Sequence, residues 1–196
     1  MSRRRIRPGA EIGAIILLAI VVYAVVGLLF LSSAARASTE IIIYDPRAYR
    51  VFCQTHPDAA ACEYTPERVT VELTDKLYKI LYNVNADVNW DIRPRVEPVD
   101  VWSLNPAYGD CEDYALTKMQ RLRSRGVPMG ALAIAHVRTR DGVSHATLVV
   151  NTTRGVLSLD NLAGNTINSL RWSGHKLISY MRPGPVNGSI IMSGEF

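Results

Sequence analysis

Gly109-Asp110-Cys111-Glu112-Asp113-Tyr114-Ala115 decides how this 196-residue chain is read. It follows a stretch with Pro94, Pro98 and Pro106 and opens a segment with helical spacing, so it places a cysteine at the first turn of a helix. The spacing predicts that helix over Asp110 to Arg125, with Ala115, Met119 and Leu122 on its buried stripe and Gly126 and Pro128 as its stop. Downstream the period changes. Ala131–Arg138, His145–Asn151 and Val156–Asp160 are short β-prone runs, and Asp141-Gly142 and Arg154-Gly155 supply turns between them. Upstream, Thr65-Pro66-Glu67 resembles a helix start, and Val69, Leu73, Leu77, Ile80, Leu81 and Val84 follow at helical spacing. Asn85–Tyr108 then reads as a long loop, and Ser38–Tyr64 as largely irregular. Helices first and hairpin strands afterwards make an α+β domain.

The chemistry converges on Cys111. Free N–H groups and the dipole at a helix N-terminus favour a thiolate. A nucleophilic cysteine also needs a histidine to take its proton and a third group to orient that histidine. His145 begins the second β-prone run and Asp160 ends the third, beside Asn161, so adjacent antiparallel strands can bring them together. His136, on the preceding run, competes for the base role; His56 and His175 lie in polar stretches. The opposing reading of Cys111 is a buried packing residue. Trp102 and Asn85 can serve as site wall and oxyanion donor, since indole and amide N–H groups donate; a core Trp and a helix-capping Asn explain them equally.

Asp110, Glu112 and Asp113 set three negative charges beside the thiol, which opposes thiolate formation. Helix capping accounts for them in one reading. A bound calcium, which takes carboxylate oxygens and cancels the adverse field, accounts for them in the other.

The N-terminal segment sets the compartment. Ile12 to Leu31 carries no charge and is long enough to span a bilayer, which takes roughly 20 apolar residues. Five of the 22 basic residues precede position 38, against one of the 18 acidic ones. Arginines before an apolar run hold that end in the cytoplasm, so the remainder is expected across the membrane. The segment divides the chain into residues 1–37, an uncleaved anchor or a signal cleaved near Ala35-Arg36-Ala37, and an exported domain over 38–196. The charge surplus is local, so a nucleic-acid partner is not expected. Cys53 and Cys62 can pair in an oxidising compartment; three reduced cysteines, or a metal held with His56, are the alternatives.

Taken together, Phe52-Cys53, Pro57, Cys62, Val84-Asn85, Val88-Asn89, Trp102, Gly109 to Ala115, Gly126-Val127-Pro128, His145-Ala146 and Leu159-Asp160-Asn161 resemble the bacterial transglutaminase-like cysteine peptidases, the group that includes the LapG-type periplasmic proteases. The resemblance covers roughly residues 45–180; Ser144 stands where the family usually has Gly, and the Trp102–Gly109 loop is shorter than usual. It implies a papain-like or transglutaminase-like fold, with the nucleophile helix packed on an antiparallel sheet; the apolar run 12–31 adds an N-terminal hydrophobic helix in front. The resemblance further implies a Cys111, His145, Asp160 triad and calcium at Asp110, Glu112 and Asp113, beside the Cys53–Cys62 disulfide that the compartment allows. The expected protein is an inner-membrane-anchored periplasmic peptidase. Its substrate would be a periplasmic or cell-surface protein such as a biofilm adhesin, and a membrane receptor would sequester it. Acyl transfer of the transglutaminase or amidase kind, and a non-catalytic binding module on the same fold, are the rival functions.

Overall fold

The computed structural model describes residues 47–63, 67–182 and 184, together with the backbone of 191–192. The apolar run 12–31, the cleavage motif at 35–37 and the helix-start residues Thr65-Pro66 lie outside the described residues. Among the described residues no helix is long and apolar enough to cross a membrane.

Helix α1 (Arg47–Thr55) comes first and is joined by the Cys53–Cys62 disulfide to a 3₁₀ turn at Ala60–Cys62. The pairing removes the reduced and metal-bound alternatives for these two cysteines. The second helix differs from the sequence expectation at both ends. Residues 67–73 are not helical, because their β-branched Val69, Thr70 and Val71 run beside the sheet instead. Val71 N–H donates to Asn151 O (3.0 Å), and Asn151 Nδ2 donates to Val69 O (3.0 Å). Thr74 then caps α2 (Asp75–Asp91), its hydroxyl accepting from Leu77 N–H at 3.1 Å. Leu81, Val84 and Val88 continue one buried stripe through the segment expected to be loop, so the helix ends only where Arg93-Pro94 demands extended backbone.

Two short strands follow, β1 (Arg93–Pro94) and β2 (Tyr108–Gly109), paired in parallel. They flank the start of α3 (Cys111–Arg123), within the bounds the sequence spacing predicts. Gly126 beyond it adopts φ +82°, the left-handed turn that Gly accepts without strain. The sheet then forms from β3 (Leu132–Arg138), β4 (Ser144–Thr152), β5 (Gly155–Leu159), β6 (Asn168–Ser169), β7 (Lys176–Met181) and β8 (Ile191–Met192). It is antiparallel throughout, in the order β6-β5-β4-β3-β7-β8. The meander of β3, β4 and β5 agrees with the sequence reading. Strand β7, which inserts against the far side of β3, was not expected.

Alternation along the strands assigns the faces. Leu132, Ile134, Leu148, Val150, Leu157 and Leu159 join the core that holds Leu116, Met119 and Leu122 of α3 and Leu81 of α2. Ala133, Ala135, Val137, Val149 and Tyr180 form a smaller cluster on the other face. Each fully buried Leu or Ile contributes roughly 1.5–3 kcal/mol of transfer free energy, so this helix-on-sheet core is what fixes the position of Cys111.

Candidate active site

The start of α3 is held by Asp113. Its Oδ1 accepts from Ser103 N–H (2.6 Å) and its Oδ2 from Asp110 N–H (3.3 Å), and the side chain is fully buried. Gly109 is required here, because a Cβ at that position would run into the Asp113 carboxylate. Cys111, the free cysteine among the described residues, is thereby presented half-buried to a cleft of about 640 Å³. His145, His175, Asn161, Glu97 and Arg140 also line that cleft.

His145 has the strand parity of Thr147 and Val149, so it leaves the sheet on the face away from the α3 core, at the end of β4 that borders the cleft. There its Nε2 meets Asp160 Oδ1 at 2.8 Å. Two further donors converge on the same carboxylate. Leu162 N–H reaches Oδ1 at 2.9 Å, and His175 Nε2 reaches Oδ2 at 2.9 Å. Burial works against charge on Asp160, but the hydrogen bonds from His145, Leu162 N–H and His175 outweigh it and hold the carboxyl down to about 2. An ionised carboxylate only accepts, so both imidazoles present Nε2–H to it. Nδ1 is the His145 nitrogen left to act as a base.

The ligand atoms of His145, Asp160 and His175 lie within 4.8 Å of one another, close enough to surround a metal. A metal-bound imidazole ordinarily donates its second N–H to a partner, and the buried His175 Nδ1 has none. Both imidazoles are already hydrogen-bonded to Asp160 through Nε2, and hydrogen bonding is the reading retained.

The rival His136 has the parity of Ile134, on the α3 side of β3. Burial lowers its pKa, against the opposing pull of Glu112 and Asp100. It is not placed on Asp160. Trp102 and Asn85 do not line the Cys111 cleft. Trp102 packs edge-on against Tyr49 (centroids 5.5 Å, 63°) and borders a separate groove with Val51 and Phe52. Asn85 is fully buried on α2 and donates to Gly164 O at 3.2 Å. Asn89 also donates to Gly164 O, at 2.5 Å, so the two amides brace the turn that follows Asp160.

The expectation of a lowered thiol pKa does not hold. Burial pushes the Cys111 thiol well above its ordinary range, and Glu112 adds to this through its charge and by accepting the Sγ–H at 2.9 Å. Asp110 adds repulsion, while Ala146 N–H works in the other direction. A helix end carries only about half an elementary charge, too little to offset desolvation and full carboxylates. The acids strain one another as well: burial, then Glu112 and Asp113, raise Asp110 to about 7, and burial raises Asp113 to about 6 despite its backbone donors. Among the described residues the oxygens of Asp110, Glu112 and Asp113 do not gather within 4.8 Å as the His145 group does.

Lys118 is a further charged member that the sequence reading passed over. It is fully buried beneath the site and donates to Leu159 O at 2.8 Å. Burial lowers its pKa to about 7, and Asp160 pulls it back up.

The family model described as bacterial transglutaminase-like cysteine proteinase BTLCP matches residues 40–180. No curated protein matches the chain. Among solved structures, calcium-bound LapG of Legionella pneumophila is similar with a TM-score of 0.52 and 22% identity, over 61% of this chain and 71% of that one. The EGTA-treated form of the same protein gives 0.49 and 24%, over 53% and 62%. A third LapG structure gives 0.48 and 24% and covers 53% of this chain; the chain spans 64% of that one's length. At 22% identity and a TM-score above 0.5, the likeness to the calcium-bound structure speaks for the fold alone.

Proposed function

Because the chain belongs to the bacterial transglutaminase-like cysteine proteinase family, we propose that it is a peptidase in which Cys111 attacks a peptide carbonyl, His145 moves the proton and Asp160 orients His145. The observation that carries this reading is the buried His145–Asp160 pair opening on the cleft that Cys111 lines. His145 Nδ1 takes the Sγ proton as sulfur bonds to the carbonyl carbon. The first-turn N–H of Cys111, which has no intrahelical acceptor, faces the developing oxyanion. His145 then gives the proton to the leaving amine as the C–N bond breaks. A water, deprotonated by the same Nδ1, hydrolyses the thioester and restores the thiol. The Sγ–H that now points at Glu112 must turn toward His145 before the first of these steps.

Calcium belongs to the same proposal. Asp110 and Glu112 offer hard oxygen ligands in a crowded acidic pocket, while both Asp113 oxygens are engaged by backbone N–H groups. A bound calcium would supply positive charge that offsets the carboxylates facing the thiol. Supporting this, one of the similar LapG structures is calcium-bound and another EGTA-treated. Calcium at a hundredfold its Kd should raise stability by about 2.7 kcal/mol, read as a Tm rise of several degrees. EGTA should reverse the rise, and Glu112→Gln should abolish it. A Tm indifferent to both calcium and EGTA would leave these acids as helix-capping groups.

The compartment and partners follow the sequence reading. We place the domain in the periplasm, anchored through the apolar run 12–31. Its substrate would be a periplasmic or cell-surface protein of the biofilm-adhesin kind, and a membrane receptor would hold the enzyme in check. Purified enzyme with calcium should generate new N-termini in a surface-protein extract, read by mass spectrometry. An extract left intact by active-thiol enzyme would contradict the peptidase reading.

A further inference from the structure

Asp160 is shared by two imidazoles, and only one of them has a part in the proposed reaction. His175 reaches Oδ2 at 2.9 Å while His145 and Leu162 N–H occupy Oδ1. The rings of His145 and His175 meet edge to face, with centroids 5.7 Å apart and planes at 66°. His175 is delivered to this point by a built turn. Ser173 Oγ donates to Leu170 O (2.7 Å) and accepts from His175 N–H (3.2 Å). Gly174 takes φ +81°, and a Cβ there would strike the Arg140 side chain. Strand β7 starts at Lys176, directly after His175, and ties the turn to β3.

The second ring nitrogen decides what His175 can be. Nδ1 is buried without a hydrogen-bond partner. Asp160 is ionised and can only accept, so the proton sits on Nε2 and Nδ1 keeps its lone pair. His175 is therefore a fixed single donor to Oδ2. Without it that oxygen would be a buried anionic acceptor with no donor, free to turn about χ2 toward other N–H groups. Turning would carry Oδ1 away from His145 Nε2.

We propose that His175 is a positioning residue that fixes the plane of the Asp160 carboxylate, so that His145 stays in the Nε2–H form and keeps Nδ1 as the base on the cleft it shares with Cys111. The inference rests on the Cys111–His145–Asp160 reading and adds a fourth member to it. His175 acts on the reaction through Asp160, so its loss should fall mainly on kcat rather than on KM.

The test uses the full exported domain with calcium and three variants. His175→Phe keeps the ring volume and removes the donor; misplacement of this order should lower kcat about 10²-fold with KM unchanged. His175→Gln places an amide N–H near the former Nε2 and should recover most of that loss, which filling space alone would not do. The His145 Nε2–H proton resonance should be present in the wild type and in His175→Gln, and broadened or absent in His175→Phe. His145→Ala is the control for the underlying reading and should be inactive. An active His145→Ala overturns the triad reading itself. An inactive His145→Ala beside a His175→Phe that turns over like the wild type overturns the role of His175 alone. Equal kcat losses in the Phe and Gln variants, with the resonance intact in both, also overturn it.

Discussion

Cys111→Ala should eliminate peptide cleavage, with a loss on the order of 10³-fold or more, while the domain stays folded. The size of the effect follows from the step removed: without sulfur no thioester can form, and only the oxyanion donors and substrate binding remain. Stability should change little. Cys111 is only half-buried, and its thiol donates to Glu112 in a pocket already crowded by Asp110. Removing the thiol gives up one part-buried hydrogen bond to Glu112 and little packing, a loss of about 1 kcal/mol. Cleavage of a protein substrate and a thermal melt on one preparation are the two readouts. Cleavage retained by a folded Cys111→Ala protein would move the nucleophile elsewhere.

Asp160→Asn should cost nearly as much, roughly 10³–10⁴-fold in kcat, for a reason that the hydrogen-bond count makes plain. The carboxylate accepts three hydrogen bonds, from His145, Leu162 and His175. An amide has one oxygen and one donor group. If its NH₂ faces His145, that ring must hold its proton on Nδ1 and can no longer take one from Cys111. If it faces His175, the proton moves to a buried Nδ1 that has no acceptor. The change also removes the anion that supports Lys118, whose pKa is lowered to about 7 by burial and pulled upward by Asp160. A lysine depressed in the fold binds its proton more readily when unfolded, so wild-type stability rises with pH between about 7 and the ordinary lysine range. Losing Asp160 depresses Lys118 further. The stability deficit of Asp160→Asn should therefore grow as pH falls through 7 and shrink above it. A pH-independent deficit would remove Lys118 from the account.

How far the sequence could be read depended on whether its signal was local. The α3 helix was legible because cap, stripe and stop all lie within Asp110–Pro128. The β3–β5 meander was legible because Asp141-Gly142 and Arg154-Gly155 are turn pairs between alternating runs. The start of α2 was misplaced because Val69 and Leu73 happen to fit the helical period, while between them Val71 pairs in extended form with the end of β4. Its end was misplaced because Pro94, Pro98 and Pro106 mark the stretch after Val84 as loop, whereas the helix runs on to Asp91, with the Asn85 and Asn89 amides spent on Gly164 O. Lys118 carried a usable signal: it stands three residues after Ala115 and four before Leu122, inside the buried stripe. His175 carried none. Its role depends on a turn at Gly174 and on β7 pairing with a strand about 40 residues earlier, and nothing local records that. The thiol pKa failed for a different reason. The helix dipole is visible in a sequence, whereas desolvation is a property of the packed cleft.

The central claim is that His145, held by Asp160, draws the proton from Cys111, and the reactivity of that thiol tests it directly. The measurement is the rate of iodoacetamide modification of the native protein in calcium, followed by intact-mass spectrometry for the wild type and His145→Ala. The account predicts a single adduct on Cys111, because Cys53 and Cys62 are joined. It also predicts a wild-type rate at neutral pH about tenfold or more above that of His145→Ala, since the thiolate, not the thiol, reacts. Equal rates in the two proteins, or modification of the wild type no faster than at a buried inert thiol, would contradict it.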